Sequence, residues 1–314
     1  MKPVRIVASL LPVSALALLS ACISGPDGIE GSSDIAELPI EGTIYTIVLE
    51  NHDADVVDEM PYLRGLADQY ASADAYYADH HPSLPNYLQL LSGTDQNVSD
   101  DDGPDQHRFD AENLSSQLDA AGIPWRAYME GMGEPCLMED KGLYAVRHDP
   151  FVYFTSVTSD RADCEAHIVD MDAHLNEDLK SSAYRYMWIT PNDCNNMHDC
   201  EPKTTDLWLS KLIPRIMNSD GYKNGGAIFV LWDEGGRDAS YLFGGKQAIP
   251  AVVISDRLAE RGVVSDVLYS HDSYLATVED ALGLARLPST ADSTPMADLF
   301  DDAFTEPPGP AAVR

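Results

Sequence analysis

Carboxylates, carboxamides and imidazoles crowd into a few short places along this chain. They are Glu50-Asn51-His52, the stretch ADHHPSLPNYLQLLSG at 78–93, the run PNDCNNMHDC at 191–200, Asp233-Glu234-Gly235-Gly236 and Ser270-His271-Asp272. Each taken alone fits a turn or a helix cap, the commonest use of Asp, Asn and Ser beside a regular element. Taken together they are hard oxygen and imidazole donors with little lysine nearby, the ligand set of a divalent cation. Carboxylates gathered in this way repel one another unless a cation or protons stand between them.

A metal-centred hydrolytic site also needs a nucleophile or an activated water, and Ser83 is the natural candidate. Pro82 and Pro85 restrict the backbone on either side of it, and Asn86 falls at the start of a helix, where free N–H groups can receive an anion. A serine hydroxyl is a poor nucleophile at neutral pH, but a metal lowers its pKa and holds it in line. The same residues also fit a plainer use, with Ser83 capping the helix that Pro85 opens and the histidines at the surface. Residue chemistry leaves both readings open.

The elements that must position these residues alternate strand and helix. Apolar, β-branched runs predict strands at 43–49, 125–129, 184–190, 226–232 and 249–255, and helices are predicted at 56–70, 111–122, 204–219 and 272–284. This is an α/β class chain with a largely parallel central sheet flanked by helices on both faces. The polar clusters follow the predicted strands, and such sheets gather ligands at the carboxyl ends of their strands. Trp125, Trp188, Trp208 and Trp232 lie in or beside apolar segments and read as core or lining residues. FGGKQ at 243–247 lacks the spacing of a phosphate-binding loop and reads as a loop over the site, where Lys246 or Arg237 could meet a substrate. Arg147 beside His148 is a further basic candidate.

With 314 residues the chain can bury one large core. The formal charge of −32 would repel nucleic acid and anionic lipid head groups, so no nucleic-acid partner is expected. Lys2 and Arg5 precede an apolar run at 6–19 that is too short to span a bilayer and ends in Leu-Ser-Ala-Cys, similar to a bacterial lipobox. Residues 1–21 are therefore expected to be a lipoprotein signal peptide, with Cys22 as the lipidated anchor to the membrane, on the periplasmic or outer side of a bacterial envelope. Residues 22–41 are expected to form a flexible tether, 42–300 the folded domain and 301–314 a disordered tail. Setting Cys22 aside leaves Cys136, Cys164, Cys194 and Cys200, an even number in an exported chain. The pairs Cys194–Cys200, which would close a short loop, and Cys136–Cys164 are favoured over a cysteine zinc site.

The ordered series ENHDADVV, HHPSLPNYLQLLSG, YMEGM, RHDPFVYF, TPNDCNNMHDC, WDEGG and SHDSYLATVEDALGL resembles the phosphoesterase family of bacterial acid phosphatases and phospholipases C, within the alkaline-phosphatase-like superfamily. The likeness runs over roughly residues 43–285. It implies an alkaline-phosphatase-like fold and a metal held by Glu50, Asn51, Asp233 and Glu234. PSLPN is similar to the KTFPN turn of nucleotide pyrophosphatase/phosphodiesterases, whose threonine is the nucleophile, which places Ser83 in that role and Asn86 on a phosphate oxygen. His81, His148, His198 and His271 would surround the transferred phosphoryl group as donors, as the leaving-group acid or as ligands of a second ion.

Asn192 and His198 resemble an Asp and a His that hold a second metal in bimetal relatives. Asparagine at 192 and glutamate at 234, where those relatives have aspartate and histidine, favour one firmly held divalent ion, with a second possible. The implied activity is hydrolysis of a small phosphomonoester through a phosphoserine at Ser83. A phosphodiesterase or phospholipase C specificity, or a catalytically silent metal-binding surface lipoprotein, are the alternatives. The oligomeric state is not legible.

Overall fold

The computed structural model describes residues 38–236 and 248–300. The signal peptide, Cys22, most of the tether, the 243–247 loop with Lys246, Arg237 and the tail lie outside these residues. Leu38 and Ile40, placed in the tether from sequence, are buried in the core, and Arg185 donates to the Ile40 carbonyl at 2.6 Å. The folded domain therefore reaches back at least to residue 38, because two apolar side chains have found cover there.

Eight strands form one mixed sheet. In chain order they are β1 (Ile44–Leu49), β2 (Ala71–Ala73), β4 (Trp125–Met129), β5 (Ile168–Asp170), β6 (Tyr186–Thr190), β7 (Ala227–Trp232), β8 (Ala251–Ser255) and β9 (Val263–Ser265). Their spatial order is β5-β4-β6-β1-β7-β8-β2-β9. All neighbours from β5 to β7 run parallel, as do β2 and β9, while β8 is antiparallel to both β7 and β2. Every residue of β1, β6, β7 and β8 is buried, which is why these strands read as unbroken apolar runs. A two-residue pairing joins β3 (Tyr76–Tyr77) to β10 (Tyr269–Ser270).

The longer helices are α1 (Pro61–Gln69), α2 (Ser83–Ser92), α3 (Leu114–Ala121), α6 (Met171–Ser181), α7 (Pro202–Met217) and α9 (His271–Ala281), with the short α4 (Thr155–Thr158), α5 (Arg161–His167) and α8 (Asp220–Lys223) between them. Successive β1 side chains point to opposite faces of the sheet. Tyr45 meets Ser219, beyond the end of α7, at 2.8 Å, and Thr46 meets Tyr274 of α9 at 2.6 Å. Helices α2, α3 and α9 contact one another on the Thr46 side, and α1, α6, α7 and α8 on the Tyr45 side, so both faces are covered.

The helix expected over 56–70 is broken. Residues 54–59 form a 3-10 turn, and α1 starts afresh at Pro61, where a missing N–H costs nothing. The Asp206 carboxylate serves the first free N–H groups of α1, accepting from Tyr62 at 3.0 Å and Leu63 at 2.9 Å. Both favoured disulfides are present, Cys136–Cys164 and Cys194–Cys200. Trp125, Trp188 and Trp232 are buried, and Trp208 is packed at the core's margin. Among the described residues no helix is long and apolar enough to cross a membrane.

Candidate active site

Strand register brings the distant acids together. Leu49 lies opposite Trp232 across the parallel β1/β7 pair, so Glu50 and Asp233 leave adjacent strands side by side. The loops are stitched at this edge: Asp233 N–H donates to the Leu49 carbonyl and Glu50 N–H to the Asn196 carbonyl, both at 2.9 Å. Glu50 and Asp233 are each 0% exposed and Glu234 only 2%. Asn51 takes a left-handed conformation (φ 52°) that turns its own N–H onto Asp233 Oδ1 at 3.2 Å. The Asp233–Glu234 turn is held from outside by Asp53, which accepts from Gly236 N–H at 2.9 Å. A Cβ at Gly235 would stand 2.5 Å from Asp53 Oδ1 and displace that carboxylate from the turn.

Ser83 is the first residue of α2 and is 3% exposed. Its hydroxyl donates to Glu50 Oε2 at 3.0 Å and acts on the Asp233 carboxyl as well. It does not cap the helix, because Pro82 holds the N-cap position and Asp101 Oδ1 accepts from Leu84 N–H at 3.0 Å. The hydroxyl thus points at the two acids contributed by β1 and β7.

The remaining sequence candidates divide by what they touch. His81 Nδ1 lies 2.5 Å from Glu234 Oε2. Asn86, expected on a phosphate oxygen, instead ties the turn: its amide donates to the His80 and Pro82 carbonyls at 2.9 and 3.2 Å and to Glu234 at 3.3 Å, and its oxygen accepts from His80 N–H at 3.2 Å. Asn192 likewise caps its own loop, accepting from Cys194 N–H at 3.1 Å and Asn195 N–H at 3.0 Å. Asn192 bonds the backbone two and three residues on, as short polar side chains commonly do, while Asn86 reaches back four and six residues to close its turn.

His271 is fully buried, with Nε2 2.6 Å from the Asp233 carbonyl and Nδ1 3.0 Å from the Tyr76 hydroxyl. Both nitrogens are occupied by protein, so it positions the Asp233 backbone; burial lowers its pKa to about 4. His198 stands at the rim, with Nδ1 2.8 Å from Asp199 and Nε2 3.3 Å from the Arg147 guanidinium.

His148 faces the acids directly. It is 1% exposed, stacks on Tyr87 and is held at about 4 by burial, so it is neutral above that pH. Its Nδ1 is 3.2 Å from Asp193 Oδ1 and its Nε2 is 3.2 Å from Glu50 Oε1. Burial would raise Asp193, yet the His148 hydrogen bond and the nearby Arg147 keep its carboxyl below the usual range.

Four participants escaped the sequence reading. Besides Asp193 they are Tyr87, Asn196 and Glu130. Glu130 accepts from Asn192 N–H at 3.0 Å, from the Asn195 amide at 2.9 Å and from Trp208 Nε1 at 3.0 Å, and so pins the 191–200 loop to the end of β4. Asp193 and Asn196 lie in the polar run 191–200, and Glu130 directly follows the strand WRAYM in the strand-end position that Glu50 holds after β1.

Three buried carboxylates now stand around one hydroxyl. Burial first, and the Asp233 charge next, push Glu50 well above the ordinary carboxylate range. Burial and then Glu234 do the same to Asp233. Among the described residues Glu50 Oε1, Asp233 Oδ2 and His148 Nε2 are buried without a hydrogen-bond partner. Buried hard oxygens without a hydrogen bond, on carboxyls raised by burial and by one another, suit a divalent cation, whose charge would offset that repulsion. Glu50 and Asp233 each offer a buried carboxylate oxygen without a hydrogen bond that could hold such an ion. The Asn51 contact seen is its backbone N–H on Asp233, and the Glu234 contacts seen are to His81 and Asn86.

Asp149, next to His148, shows how burial sets the pH response. It is 0% exposed, and burial pushes its carboxyl up to about 7 despite the Tyr144 hydroxyl at 3.2 Å. The folded chain therefore keeps it neutral. Below its ordinary value of 3.8 both states are protonated and nothing is lost. As pH rises from there through about 7 only the unfolded chain ionises early, and up to about 4 kcal/mol of stability is lost. Asp149→Asn is expected to match wild type in urea unfolding at pH 4 and to exceed it at pH 8. A difference that does not change with pH would contradict this assignment.

A family model described as the phosphoesterase family matches residues 48–285. The chain belongs to the phosphoesterase family. The match begins just before Glu50 and ends just after α9, so it spans the elements that carry the acids, Ser83 and His271. Among curated proteins, this phosphoesterase-family chain is 27% identical over 289 residues to a probable acid phosphatase of Kluyveromyces lactis, covering 86% of this chain and 66% of that protein. It spans less than two thirds of the fungal acid phosphatases it matches, 59% in the case of the phosphate-repressible enzyme of Penicillium chrysogenum. A phosphatidylinositol-3-phosphatase of Mycobacterium tuberculosis is 25% identical over 269 residues, covering 84% of this chain and 85% of that protein. A solved alkaline phosphatase superfamily structure from Vibrio parahaemolyticus shares the fold, with a TM-score of 0.53 at 14% identity over 85% of this chain and 71% of that one.

Proposed function

We propose that this phosphoesterase-family chain is a metal-dependent phosphomonoesterase of acid-phosphatase type, with Ser83 as nucleophile. The observation that carries the reading is the Ser83 hydroxyl donating to buried Glu50 at 3.0 Å, with Asp233 on the neighbouring strand. Glu50 and Asp233 would hold a divalent ion, which would supply positive charge to the phosphoryl oxygens and ease loss of the serine proton. The rest belongs to the chain's own groups. Glu50 Oε2 receives the hydroxyl proton as Ser83 Oγ bonds phosphorus and the ester oxygen departs. His81, two residues before Ser83 and held on Glu234, gives that oxygen a proton. Water then attacks phosphorus and gives one proton back to His81, the P–Oγ bond breaks, Ser83 Oγ takes back the proton held on Glu50, and hydrogen phosphate leaves.

His148, held by Asp193, stands beside Glu50, and His271 fixes the Asp233 backbone. The fungal and mycobacterial relatives support a phosphate-ester substrate, a phosphoinositide head group included. Export and lipid anchoring at Cys22 stand as part of the same proposal, resting on residues 1–22 alone.

The test compares p-nitrophenyl phosphate with bis-p-nitrophenyl phosphate, with and without a chelator. The monoester is expected to be turned over at least about 10-fold faster, and the chelator to lower that rate about 100-fold or more until divalent metal is returned. Faster diester cleavage would favour a phosphodiesterase or phospholipase C. No turnover by folded, metal-loaded protein across a phosphate-ester panel would favour a binding protein.

A further inference from the structure

The site as built is too negative for the substrate proposed for it. Glu50, Asp233, Glu234 and Asp193 contribute four carboxylates, and one divalent ion offsets two of them. A phosphomonoester arrives with up to two further negative charges, into a chain of net charge −32. A further cation beside the phosphoryl group would offset this charge, and Arg147, against Asp193, can supply one. Its charge is felt by Asp193, Glu50, Asp101 and Asp140. In the structure Arg147 Nη2 lies 3.5 Å from Asp193, Asp193 bonds His148, His148 faces Glu50, and Glu50 accepts from Ser83.

The guanidinium is not committed elsewhere. Its side chain is 19% exposed. Its contacts are long and come from one nitrogen, Nη2, at 3.5 Å from Asp193 Oδ2 and 3.3 Å from His198 Nε2. A bidentate arginine–carboxylate pair would hold at about 2.8 Å through two nitrogens. Among the described residues Nε and Nη1 make no hydrogen bond, so one edge of the fork is left to a ligand. Asp193, His198 and Asp199 are close enough together to be candidate cation ligands. The guanidinium already lies against two of them and supplies positive charge at the place where the sequence left a second ion possible.

We propose that Arg147 is the residue that selects phosphomonoesters, its free guanidinium edge binding a non-bridging oxygen of the doubly charged phosphoryl group. This rests on the phosphomonoesterase reading given above. A diester carries one negative charge and one fewer free oxygen, so it gains less from the fork.

Three measurements on metal-loaded full chain test the proposal. Arg147→Ala is expected to lower kcat/KM for p-nitrophenyl phosphate about 100-fold, mainly through KM, but for the bis-p-nitrophenyl diester less than about 5-fold. Millimolar guanidinium chloride should restore part of the monoester rate to Arg147→Ala and none to wild type, and Arg147→Lys should fall between the two. Thermal melts of both variants should stay near wild type.

Equal losses on the two substrates, or no response to guanidinium, would overturn the proposal and reduce Arg147 to a tie on Asp193. Inorganic phosphate binding by calorimetry is independent of turnover. It should weaken at least about 10-fold in Arg147→Ala, and equal affinity would overturn the proposal even in a protein that hydrolyses nothing. Wild type inactive on the monoester, yet binding phosphate through Arg147, would sink the catalytic reading and leave the contact standing.

Discussion

Ser83→Ala is expected to lower kcat for a phosphomonoester by about 10³-fold or more while leaving the protein folded and able to take up metal. The size follows from removing the atom that bonds phosphorus, since deleting a serine nucleophile removes covalent catalysis outright and leaves only binding and electrostatic contributions. The fold should hold because alanine suits the first turn of α2, and the backbone there is secured by Asp101 and Asn86 rather than by the hydroxyl. Glu50 Oε2 would lose its donor, a change of about 1 kcal/mol in the metal-free protein. The check pairs initial rates with mass spectrometry after acid quench. Wild type should carry phosphate on the peptide containing Ser83, and the variant none. Undiminished turnover by Ser83→Ala would mean that water attacks phosphorus directly.

Asp233→Asn should have opposite effects on function and on metal-free stability. With one of the two supported ligand carboxylates neutralised, divalent affinity is expected to fall by about 100-fold or more, given that even partners of ligands are worth 10- to 100-fold. Without metal, the same substitution should stabilise the fold. Burial first and Glu234 next raise the Asp233 pKa, so its ionised form is paid for in folding free energy at neutral pH. The sign is that of a raised acid: stability is present below the ordinary value of 3.8 and lost as pH rises through the folded value. In chelator at pH 7 the variant should therefore melt above wild type, and at pH 4 the gap should close. In saturating metal the order should reverse, because wild type gains about 2.7 kcal/mol at a hundredfold excess over Kd. A variant less stable than wild type in chelator would mean that Asp233 is satisfied without a cation.

The central strands were legible because they are buried on both faces and carry unbroken apolar runs such as Ile44–Leu49 and Ala227–Trp232. The Ala-Ser-Ala of β2 and the Tyr-Tyr of β3 were not, since two or three residues show no period and their pairing is set by partners nearly 200 residues away, Val252, Val253 and Tyr269. The site followed the same division. Glu50, Ser83, Asp233 and His148 converge because strand ends and one helix start obey a topological rule readable from element order. Asn86, Asn192 and His271 share the residue types of ligands, yet the first two bond their own turns and the third bonds a carbonyl on another strand. Residue type does not tell a ligand from a brace, because the competing partner is a backbone group every chain supplies. Asp193 and Tyr87 meet His148 through contacts from distant segments, which leave no local signature.

One measurement bears most directly on the claim that a cation lies between Glu50 and Asp233 beside the Ser83 hydroxyl. Crystals grown with manganese and examined by anomalous scattering should show one strong peak within about 2.5 Å of oxygens from both acids, with Ser83 Oγ alongside. A peak confined to Asp193, His198 and Asp199, or a protein active on phosphomonoesters with no peak at Glu50 and Asp233, would contradict it.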